Sequence, residues 1–274
     1  MSDREVSIHP TASVHPRAQL DSGVEIGPYV VIGEHVSILE NTVIEAHVCI
    51  TGKTEIGKGC RFSPFSSIGG EPQDVSYKGE ETCVKIGNDN IFREFLTVHR
   101  GTVKGRGETV IGNGNYIMAY SHVAHDCIVG NKTVFLHGAT IGGHVDVDDF
   151  STMGALSGIH QFCRIGKHAF IGGNTVITQD VLPFCRVAGA RPTLLYGLNA
   201  VGLRRQGFSK DRIKALKDMF RIVFYSDLNT AQAVERIEKD FPQGEDRDEI
   251  LCFIRDSQRG IVKKPSEKWD EDWV

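Results

Sequence analysis

The sequence has little of what marks a secreted, disulfide-stabilised or membrane-spanning chain. Its seven cysteines are scattered and never form a CxxC pair, which argues against a disulfide framework or a cysteine zinc site. No apolar run approaches the roughly 20 residues that cross a bilayer. The first residues, MSDREVSIHP, contain no apolar segment of a signal peptide. We therefore expect a cytoplasmic protein without membrane insertion.

An excess of charge is also missing. The chain has 31 Lys+Arg and 35 Asp+Glu, which gives a formal net charge of −4. This balance does not favour nucleic acid as a partner. The 274 residues, of which 40% are hydrophobic and 24% charged, are typical of a globular protein with one large domain or two ordinary ones.

An apolar residue recurs at every sixth position through most of the chain. Counting by six gives three apolar runs, over residues 8–68, 86–98 and 111–177. In the third run the fifth residue of each hexad is small or compact, with Asn115 as the exception. Glycine often follows the apolar residue, which we interpret as a need for backbone angles that a side chain forbids.

A period of six residues is typical of a parallel β-helix, in which three hexads form one triangular coil. The large apolar residue fills the centre, and coils stack at ~4.8 Å. The period-two alternation of a β-sandwich is missing. Two excursions, EPQDVSYKGEETCVK at 71–85 and RGTVKGRGETV at 100–110, interrupt the count. Loops at the corners of a solenoid often carry function.

After about residue 190 the pattern becomes helical. The segment SKDRIKALKDMFRIVFYSD begins with Ser209 as a candidate cap. Its apolar residues share one helical face: Ile213, Leu216, Phe220 and Val223. NTAQAVERIEKDF and DRDEILCFIRDSQ predict two further helices, and the polar tail SEKWDEDWV carries both tryptophans. We therefore predict a β-helix over 1–190 and a helical domain over 191–274.

The stretch HVAHDCIVG, residues 122–130, places an aspartate directly after the second of two histidines. None of the eleven histidines occupies the inward first or fifth place of a hexad, so we expect their side chains to face outward. His125 and Asp126 could supply a general base and the acceptor that fixes its tautomer. Gly143, one coil further on, offers a backbone N–H for an oxyanion. A zinc site would need three or four converging ligands, which a second subunit could complete.

Stepping by one coil places several polar residues on one outward strip. This strip contains His125, Gly143, His144 and Gln161, with His160 beside it. A strip of this kind is either solvated surface or a site shared with a neighbouring subunit.

Five motifs together resemble one known family. They are QD at 73–74, VHRGT at 98–102, HVAHD at 122–126, HQF at 160–162 and LNAVGLRRQGF at 198–208. The chain resembles, over nearly its whole length, the bacterial UDP-N-acetylglucosamine O-acyltransferases, which open lipid A biosynthesis. The resemblance implies a left-handed β-helix and a homotrimer with active sites between subunits. It implies transfer of an (R)-3-hydroxyacyl chain from acyl carrier protein to the sugar 3-OH, without an acyl-enzyme, metal or cofactor.

The resemblance also implies roles for individual residues. His125 is the general base, Asp126 orients it, and the Gly143 N–H stabilises the oxyanion. The residues expected to contact substrates are Gln73, Asp74, His122, His144, His160, Gln161, Asn199 and Arg205. Gly173 stands where the family sets acyl length, and its missing side chain predicts a longer acyl chain. The residues expected to attract the acidic carrier protein are Arg204, Arg212, Lys214, Lys217 and Arg221.

Three positions depart from the family pattern and leave the acceptor open between N-acetylglucosamine and a 3-amino analogue. They are Ser76 in place of lysine, Val201 in place of an acidic residue and His137 in place of asparagine. The related N-acyltransferases carry an extra N-terminal domain, whereas the hexads begin here at Ile8. A zinc lyase of the carbonic anhydrase type and a non-catalytic scaffold trimer are two further hypotheses for a chain of this pattern.

Overall fold

The structure, a computed structural model, describes residues 5–265. They form a left-handed parallel β-helix followed by four α-helices, as the hexads and the resemblance predict. Successive short strands, numbered in chain order, pass in turn to three sheets. The tail that carries the two tryptophans lies outside the described residues.

Each sheet is one side of a triangular prism. The first sheet contains β1 (Ser7–Ile8), β4 (Glu25–Ile26), β7 (Val43–Ile44), β10 (Arg61–Phe62), β13 (Ile91–Phe92), β16 (Tyr116–Ile117), β19 (Val134–Phe135), β22 (Thr152–Met153), β25 (Phe170–Ile171), β27 (Cys185–Ala188) and β28 (Leu194–Leu198). The second sheet contains β2 (Ser13–Val14), β5 (Val31–Ile32), β8 (Cys49–Ile50), β11 (Ser67–Gly70), β14 (Thr97–His99), β17 (His122–Val123), β20 (Thr140–Ile141), β23 (Gly158–Ile159) and β26 (Val176–Ile177). The third sheet contains β3 (Gln19–Leu20), β6 (Val36–Ile38), β9 (Lys53–Ile56), β12 (Cys83–Ile86), β15 (Glu108–Ile111), β18 (Ile128–Val129), β21 (Asp146–Val147) and β24 (Arg164–Ile165).

The helices follow the strand that closes the first sheet. They are α1 (Ala200–Arg205), α2 (Lys210–Tyr225), α3 (Thr230–Asp240) and α4 (Glu245–Asp256). The structure confirms the three helices that the sequence predicts, including the cap, because the Ser209 hydroxyl accepts from the Arg212 N–H. It adds the short α1, which begins after Asn199. Strands continue to residue 198. The domain boundary at 190 stays a prediction. No helix within residues 5–265 is long and apolar enough to cross a membrane.

From Ile26 to Ile177 the first residues of the hexads form one buried column along the prism axis. Ile56 pairs with Ile86 and Ile86 with Ile111, so register is kept across both excursions. Phe62 and Phe92 stack within the column with ring centroids 4.6 Å apart. Burial of this apolar column, at roughly 25 cal/mol per Å² removed from water, is the main stabilising contribution.

The role of the repeated glycines differs from the sequence-based expectation. The non-glycine residues with positive φ angles at the corners are the fourth residues of their hexads, for example His144 at +61°. Among the glycines directly after the apolar residue, Gly69 has a positive φ, whereas Gly57 and Gly112 do not. A Cβ on Gly57 would lie 2.6 Å from the Gly87 carbonyl oxygen, and one on Gly112 would lie 2.6 Å from that of Gly130. Glycine is therefore needed because adjacent coils approach too closely for a side chain.

One histidine is not exposed in the way that the hexad register predicts. His168 points away from its coil but is buried, because rings of the coil corners and Phe208 of the helical region cover it. Burial lowers the pKa of His168 to about 4, with the charges of Lys167 and Arg212 acting in the same direction. This imidazole is therefore neutral and serves to pack the helices on the β-helix.

Asn115, the exception to the small fifth residue, is fully buried and hydrogen-bonded between coils. Its Nδ2 donates to the Gly130 carbonyl at 3.0 Å, and its Oδ1 accepts from the N–H and the hydroxyl of Thr133, each at 2.7 Å. Its own N–H donates to Oδ1 of Asn90, which holds the equivalent place one coil earlier. An amide is tolerated here because it satisfies the backbone groups of the corner.

We predict that Asn115→Ala lowers the free energy of unfolding by ~2–4 kcal/mol, because buried groups of Thr133 and Gly130 lose their partners at ~1–3 kcal/mol each. Denaturant titration followed by circular dichroism measures this loss. Asn113→Ala is the matched control, because Asn113 is exposed and water can replace its contacts. Equal losses in the two variants would contradict the role given to Asn115.

Candidate active site

Both excursions leave the β-helix at the same corner, which lies between the second and third sheets. The first, residues 71–82, joins β11 to β12, and the second, residues 100–107, joins β14 to β15 one coil later. Residues 124–127 form this corner in the following coil. We call this region the loop-bearing corner. Because the loops are stacked along the prism axis, they build a wall around the corner residues below them.

His125 and Asp126 lie at the loop-bearing corner and contact each other. Asp126 has a φ of +59°, and its Oδ2 lies 2.8 Å from Nδ1 of His125. The Asp126 side chain is fully buried, whereas that of His125 is 15% exposed. Because Nδ1–H donates to the carboxylate, Nε2 is the nitrogen that can accept a proton from a substrate.

The second excursion encloses the carboxylate of Asp126. Thr102 donates to it through its N–H and hydroxyl, and Arg106 donates through its N–H. Burial alone would raise the pKa of Asp126, but the hydrogen bonds from His125, Thr102 and Arg106 outweigh it and hold the pKa below its ordinary value. The carboxylate is therefore ionised beside the imidazole. In the sequence VHRGT is recognisable only as a family motif, so the contacts of Thr102 and Arg106 were missed.

Gly143 and His144 lie one coil below the His125 ring. A Cβ on Gly143 would lie 2.8 Å from Nε2 of His125, so a side chain here would occupy the edge of the ring that accepts a proton. The backbone hydrogen bonds of residues 5–265 leave the Gly143 N–H without an acceptor. His144 packs edge-on against His125 at 5.1 Å and stacks on Phe162 at 4.5 Å. The position of the Gly143 N–H beside Nε2 of His125 suits a donor to a developing oxyanion.

His122 lies beside the corner on the outer face of the second sheet. Its Nδ1 is 2.7 Å from the Thr97 hydroxyl, and its ring packs edge-on against His99 at 4.9 Å. Burial, together with the neighbouring His99 and His125, lowers the pKa of His122 to about 4. His122 is therefore a neutral hydrogen-bonding group rather than a second base.

The first excursion brings Gln73 and Asp74 toward the same corner. The N–H and hydroxyl of Ser76 donate to Asp74 at 2.8 and 2.9 Å and lower its pKa, and the charges of Lys104 and His125 lower it further. The Gln73 side chain is exposed. Ser76, which departs from the family lysine, thus fixes the orientation of the Asp74 carboxylate.

His160, Gln161 and Gly173 lie further along the prism and are exposed. His160 lines a cavity of about 630 Å³ together with Val176, Thr178, Pro192 and Thr193. A Cβ on Gly173 would meet the backbone of Ala155, with the carbonyl oxygen at 3.3 Å and the nitrogen at 3.9 Å. The region from the loop-bearing corner to this cavity is therefore open to an extended ligand.

Asn199 and Arg205 are not brought to the loop-bearing corner. They line a separate groove of about 570 Å³ between the first sheet and the helices. The Asn199 side chain is already engaged, because Oδ1 accepts from the Gly202 N–H and Nδ2 donates to the His168 carbonyl. Val201 lines the same groove. Within one chain, the two sets of predicted contact residues lie on different faces of the prism.

The predicted basic patch divides into two parts. Arg204, Lys217 and Arg221 line the same groove as Arg205. Arg212 is instead paired with Asp246 at 2.6 and 2.7 Å and lies over the Phe208 ring. Lys214 lies 3.1 Å from Asp218, which is also 3.3 Å from the groove-lining Arg221. The part of the patch that lines the groove is the better candidate for an anionic ligand.

His125, Asp126 and His144 are close enough to be considered as metal ligands, with one donor atom of each within 4.8 Å of the others. Both oxygens of Asp126 already accept hydrogen bonds from the second excursion. A metal ion would have to compete with these donors, so the arrangement fits a base and its orienting acid better. Cys127 and Cys163 are poor nucleophile candidates, since burial raises the pKa of Cys127 to about 12 and that of Cys163 to about 11.

The fold and the site define a hexapeptide-repeat transferase. Residues 108–143 match the family model described as bacterial transferase hexapeptide, six repeats. Residues 180–262 match the model described as UDP N-acetylglucosamine O-acyltransferase, domain 2.

The chain belongs to the UDP-N-acetylglucosamine O-acyltransferase family. It is 48% identical over 217 residues to the acyl-[acyl-carrier-protein]–UDP-N-acetylglucosamine O-acyltransferase of Thermodesulfovibrio yellowstonii, which covers 79% of this chain and 84% of the relative. The solved structure of the UDP-N-acetylglucosamine acyltransferase of Francisella novicida is 37% identical, has a TM-score of 0.91 and covers 94% of this chain and 95% of that chain. The solved structure of the UDP-N-acetylglucosamine O-acyltransferase of Moraxella catarrhalis is 39% identical to this chain and has a TM-score of 0.90. The match covers 93% of this chain and 99% of that chain.

We predict that the His122 imidazole stays neutral down to about pH 5, because its pKa is lowered to about 4. Nitrogen chemical shifts of ¹⁵N-histidine-labelled protein measure this, with the signal assigned by its loss in His122→Gln. The exposed His9 is the internal reference for a solvent-facing ring. A His122 signal that titrates near pH 6.5 would contradict the burial argument.

Proposed function

We propose that this protein transfers an (R)-3-hydroxyacyl chain from acyl carrier protein to the 3-OH of UDP-N-acetylglucosamine, the first step of lipid A biosynthesis. The observation that carries the proposal is the contact of the buried Asp126 carboxylate with Nδ1 of His125, which leaves Nε2 as the proton acceptor of a side chain that is 15% exposed. The relatives named above act on the same donor class and acceptor by their names. The 3-amino acceptor is less well supported, since these relatives are named for N-acetylglucosamine.

The proposed mechanism needs one base and no acyl-enzyme. Nε2 of His125 takes the proton of the sugar hydroxyl, and the oxygen attacks the thioester carbonyl carbon. The Gly143 N–H stabilises the tetrahedral oxyanion. When the C–S bond breaks, the thiolate of the carrier takes the proton back from the imidazolium. No metal or cofactor enters this scheme, because the thioester is a co-substrate.

Substrate binding is assigned to the residues that surround the corner. Asp74 and Gln73 approach from the first excursion, and His122, His144, His160 and Gln161 line the open path along the second sheet. We place the acyl chain along this path toward the exposed Gly173. Asn199 positions α1, and Arg205 of the groove offers its charge to the nucleotide phosphates.

A homotrimer would complete the site. His125 faces outward at one corner, while Arg205 lies on the face of the first sheet, so one chain does not surround a substrate. If the second sheet of one copy faces the first sheet of the next, the two sets converge. A head-to-tail contact of this kind closes into a ring when the rotation allows it.

The corner between the first and second sheets suits the three-fold axis of such a trimer. Five rings stack there at spacings of 4.8 to 5.0 Å: Tyr29, His47, Phe65, Phe95 and Tyr120. Phe65 and Tyr120 are 51% and 56% exposed in the single chain. An apolar stripe of this length is typical of a contact surface, and we assign it to the second and third copies.

We assign the binding of the acidic carrier protein to the basic residues beside the groove. Arg204 and Lys217 line it beside Arg221, which is paired with Asp218, whereas the charge of Arg212 is balanced by Asp246 outside the groove. Long-range attraction would speed encounter and make it sensitive to salt. We also place the protein in the cytoplasm, since its seven cysteines are free thiols.

We predict that His125→Ala lowers kcat by at least about 100-fold, the usual scale for a lost general base. Thiol release from 3-hydroxymyristoyl-carrier protein, with and without UDP-N-acetylglucosamine, measures the rate. His9→Ala is the control, because that ring is exposed on the first coil. Sugar-independent release, or an unchanged rate in His125→Ala, would overturn the proposed function. Release only with the 3-amino analogue would change the acceptor.

We predict that subunits carrying His125→Ala and subunits carrying Arg205→Ala complement each other. In mixed trimers purified through two different tags, about one site in three has both residues intact if neighbouring copies supply them. Activity should therefore return to about one third of the unmodified trimer, while each variant alone is poorly active.

Mixed trimers of His125→Ala and Asp126→Ala are the matched control, because both residues lie at the same corner and no intact site can form. A mixture of His125→Ala and Arg205→Ala subunits that stays inactive would contradict a site shared between copies.

A further inference from the structure

The motif VHRGT ends in a threonine that is directed into the site. Thr102 is only 4% exposed. Its hydroxyl donates to Oδ2 of Asp126 at 2.7 Å, and its N–H lies 3.0 and 3.1 Å from the two carboxylate oxygens. Oδ2 is also the oxygen that contacts Nδ1 of His125. The threonine and the imidazole therefore share one acceptor atom.

The loop that carries Thr102 is fixed to the coil below it. The N–H of Arg106 donates to Oδ1 of Asp126 at 2.7 Å. Its guanidinium donates to the Asp126 carbonyl at 2.9 Å and forms a two-point ion pair with Asp146 at 2.5 and 2.9 Å. Within the loop, the N–H groups of Gly105 and Gly107 donate to the Thr102 carbonyl. The threonine is thus held by a closed turn.

Close packing confirms that the loop lies directly on the carboxylate. A Cβ on Gly105 would lie 2.4 to 2.5 Å from the carboxylate atoms of Asp126. No side chain fits there unless the carboxylate moves. The hydrogen bonds of Thr102 and Arg106 and the packing of Gly105 thus all act on the Asp126 carboxylate.

We propose that Thr102 is a positioning residue for the reaction, which fixes the Asp126 carboxylate so that Oδ2 stays directed at His125. Within residues 5–265, Thr102 and His125 are the side chains that donate to this carboxylate. Without the hydroxyl, Oδ2 keeps only the Thr102 N–H, shared with Oδ1, besides Nδ1 of His125. The carboxylate then rotates more freely about its Cβ–Cγ bond, and the imidazole is less firmly oriented. The inference rests on the proposed function, since it assumes His125 as the base.

The test begins with two substitutions at Thr102. Thr102→Val keeps the shape but removes the hydroxyl, and we expect kcat to fall about tenfold while KM for both substrates changes less than about twofold. Thr102→Ser keeps a hydroxyl, and kcat should stay within about twofold of the unmodified enzyme. Gly105→Ala should also lower kcat, because its methyl group would displace the carboxylate. Circular dichroism and trimer size are measured for every variant.

A double-mutant cycle separates positioning from general damage. If Thr102 acts through Asp126, then Thr102→Val costs nothing further in the Asp126→Ala background. Thr42→Val is the matched control: that buried hydroxyl donates to the Gly57 carbonyl far from the site, so kcat should be unchanged.

Three outcomes would overturn the inference. They are an unchanged kcat in Thr102→Val, an equal loss in Thr102→Ser, or an additive loss in the Asp126→Ala background. Failure of the proposed function gives a different result, namely full activity in His125→Ala.

Discussion

The whole molecule depends on the register between successive coils. The inward apolar residue of each hexad must lie over its equivalent in the previous coil, since both the hydrogen-bond ladder and the apolar column require it. A slip of one residue would turn these side chains outward. Extra residues can therefore enter only at corners, as the pairing of Ile56, Ile86 and Ile111 across two excursions demonstrates.

That constraint also explains how a prism with flat sides acquires a buried carboxylate. Two insertions at one corner in consecutive coils stack on each other, and the second covers Asp126, which would otherwise lie at the surface. Burying a carboxylate is costly unless it is hydrogen-bonded, and here His125, Thr102 and Arg106 supply the donors. The same donors hold the group ionised, so one set of contacts offsets the cost of burial and keeps the negative charge beside His125.

A triangular prism can present residues on a face but cannot close around a substrate. The corner with His125 and the groove with Arg205 lie on different faces. The apolar stripe of stacked rings that includes Phe95 and Tyr120 lies at the corner between those faces. Three copies around that stripe would turn two shallow surfaces into one cleft. In the proposed trimer, assembly rather than a lid would exclude water from the cleft.

The amino-acid pattern is enough to predict the β-helix, its inward residues, the three longer helices and the adjacency of His125, Gly143 and His144, because each follows from a short motif that is repeated locally. The remaining features emerge only in the folded chain. The reason for the glycines, the burial of His168 and the enclosure of Asp126 depend on contacts between segments distant in the chain, such as Thr102 with Asp126 and Arg106 with Asp146. Periodicity cannot show these contacts, since an inserted loop takes its conformation from the coil on which it packs.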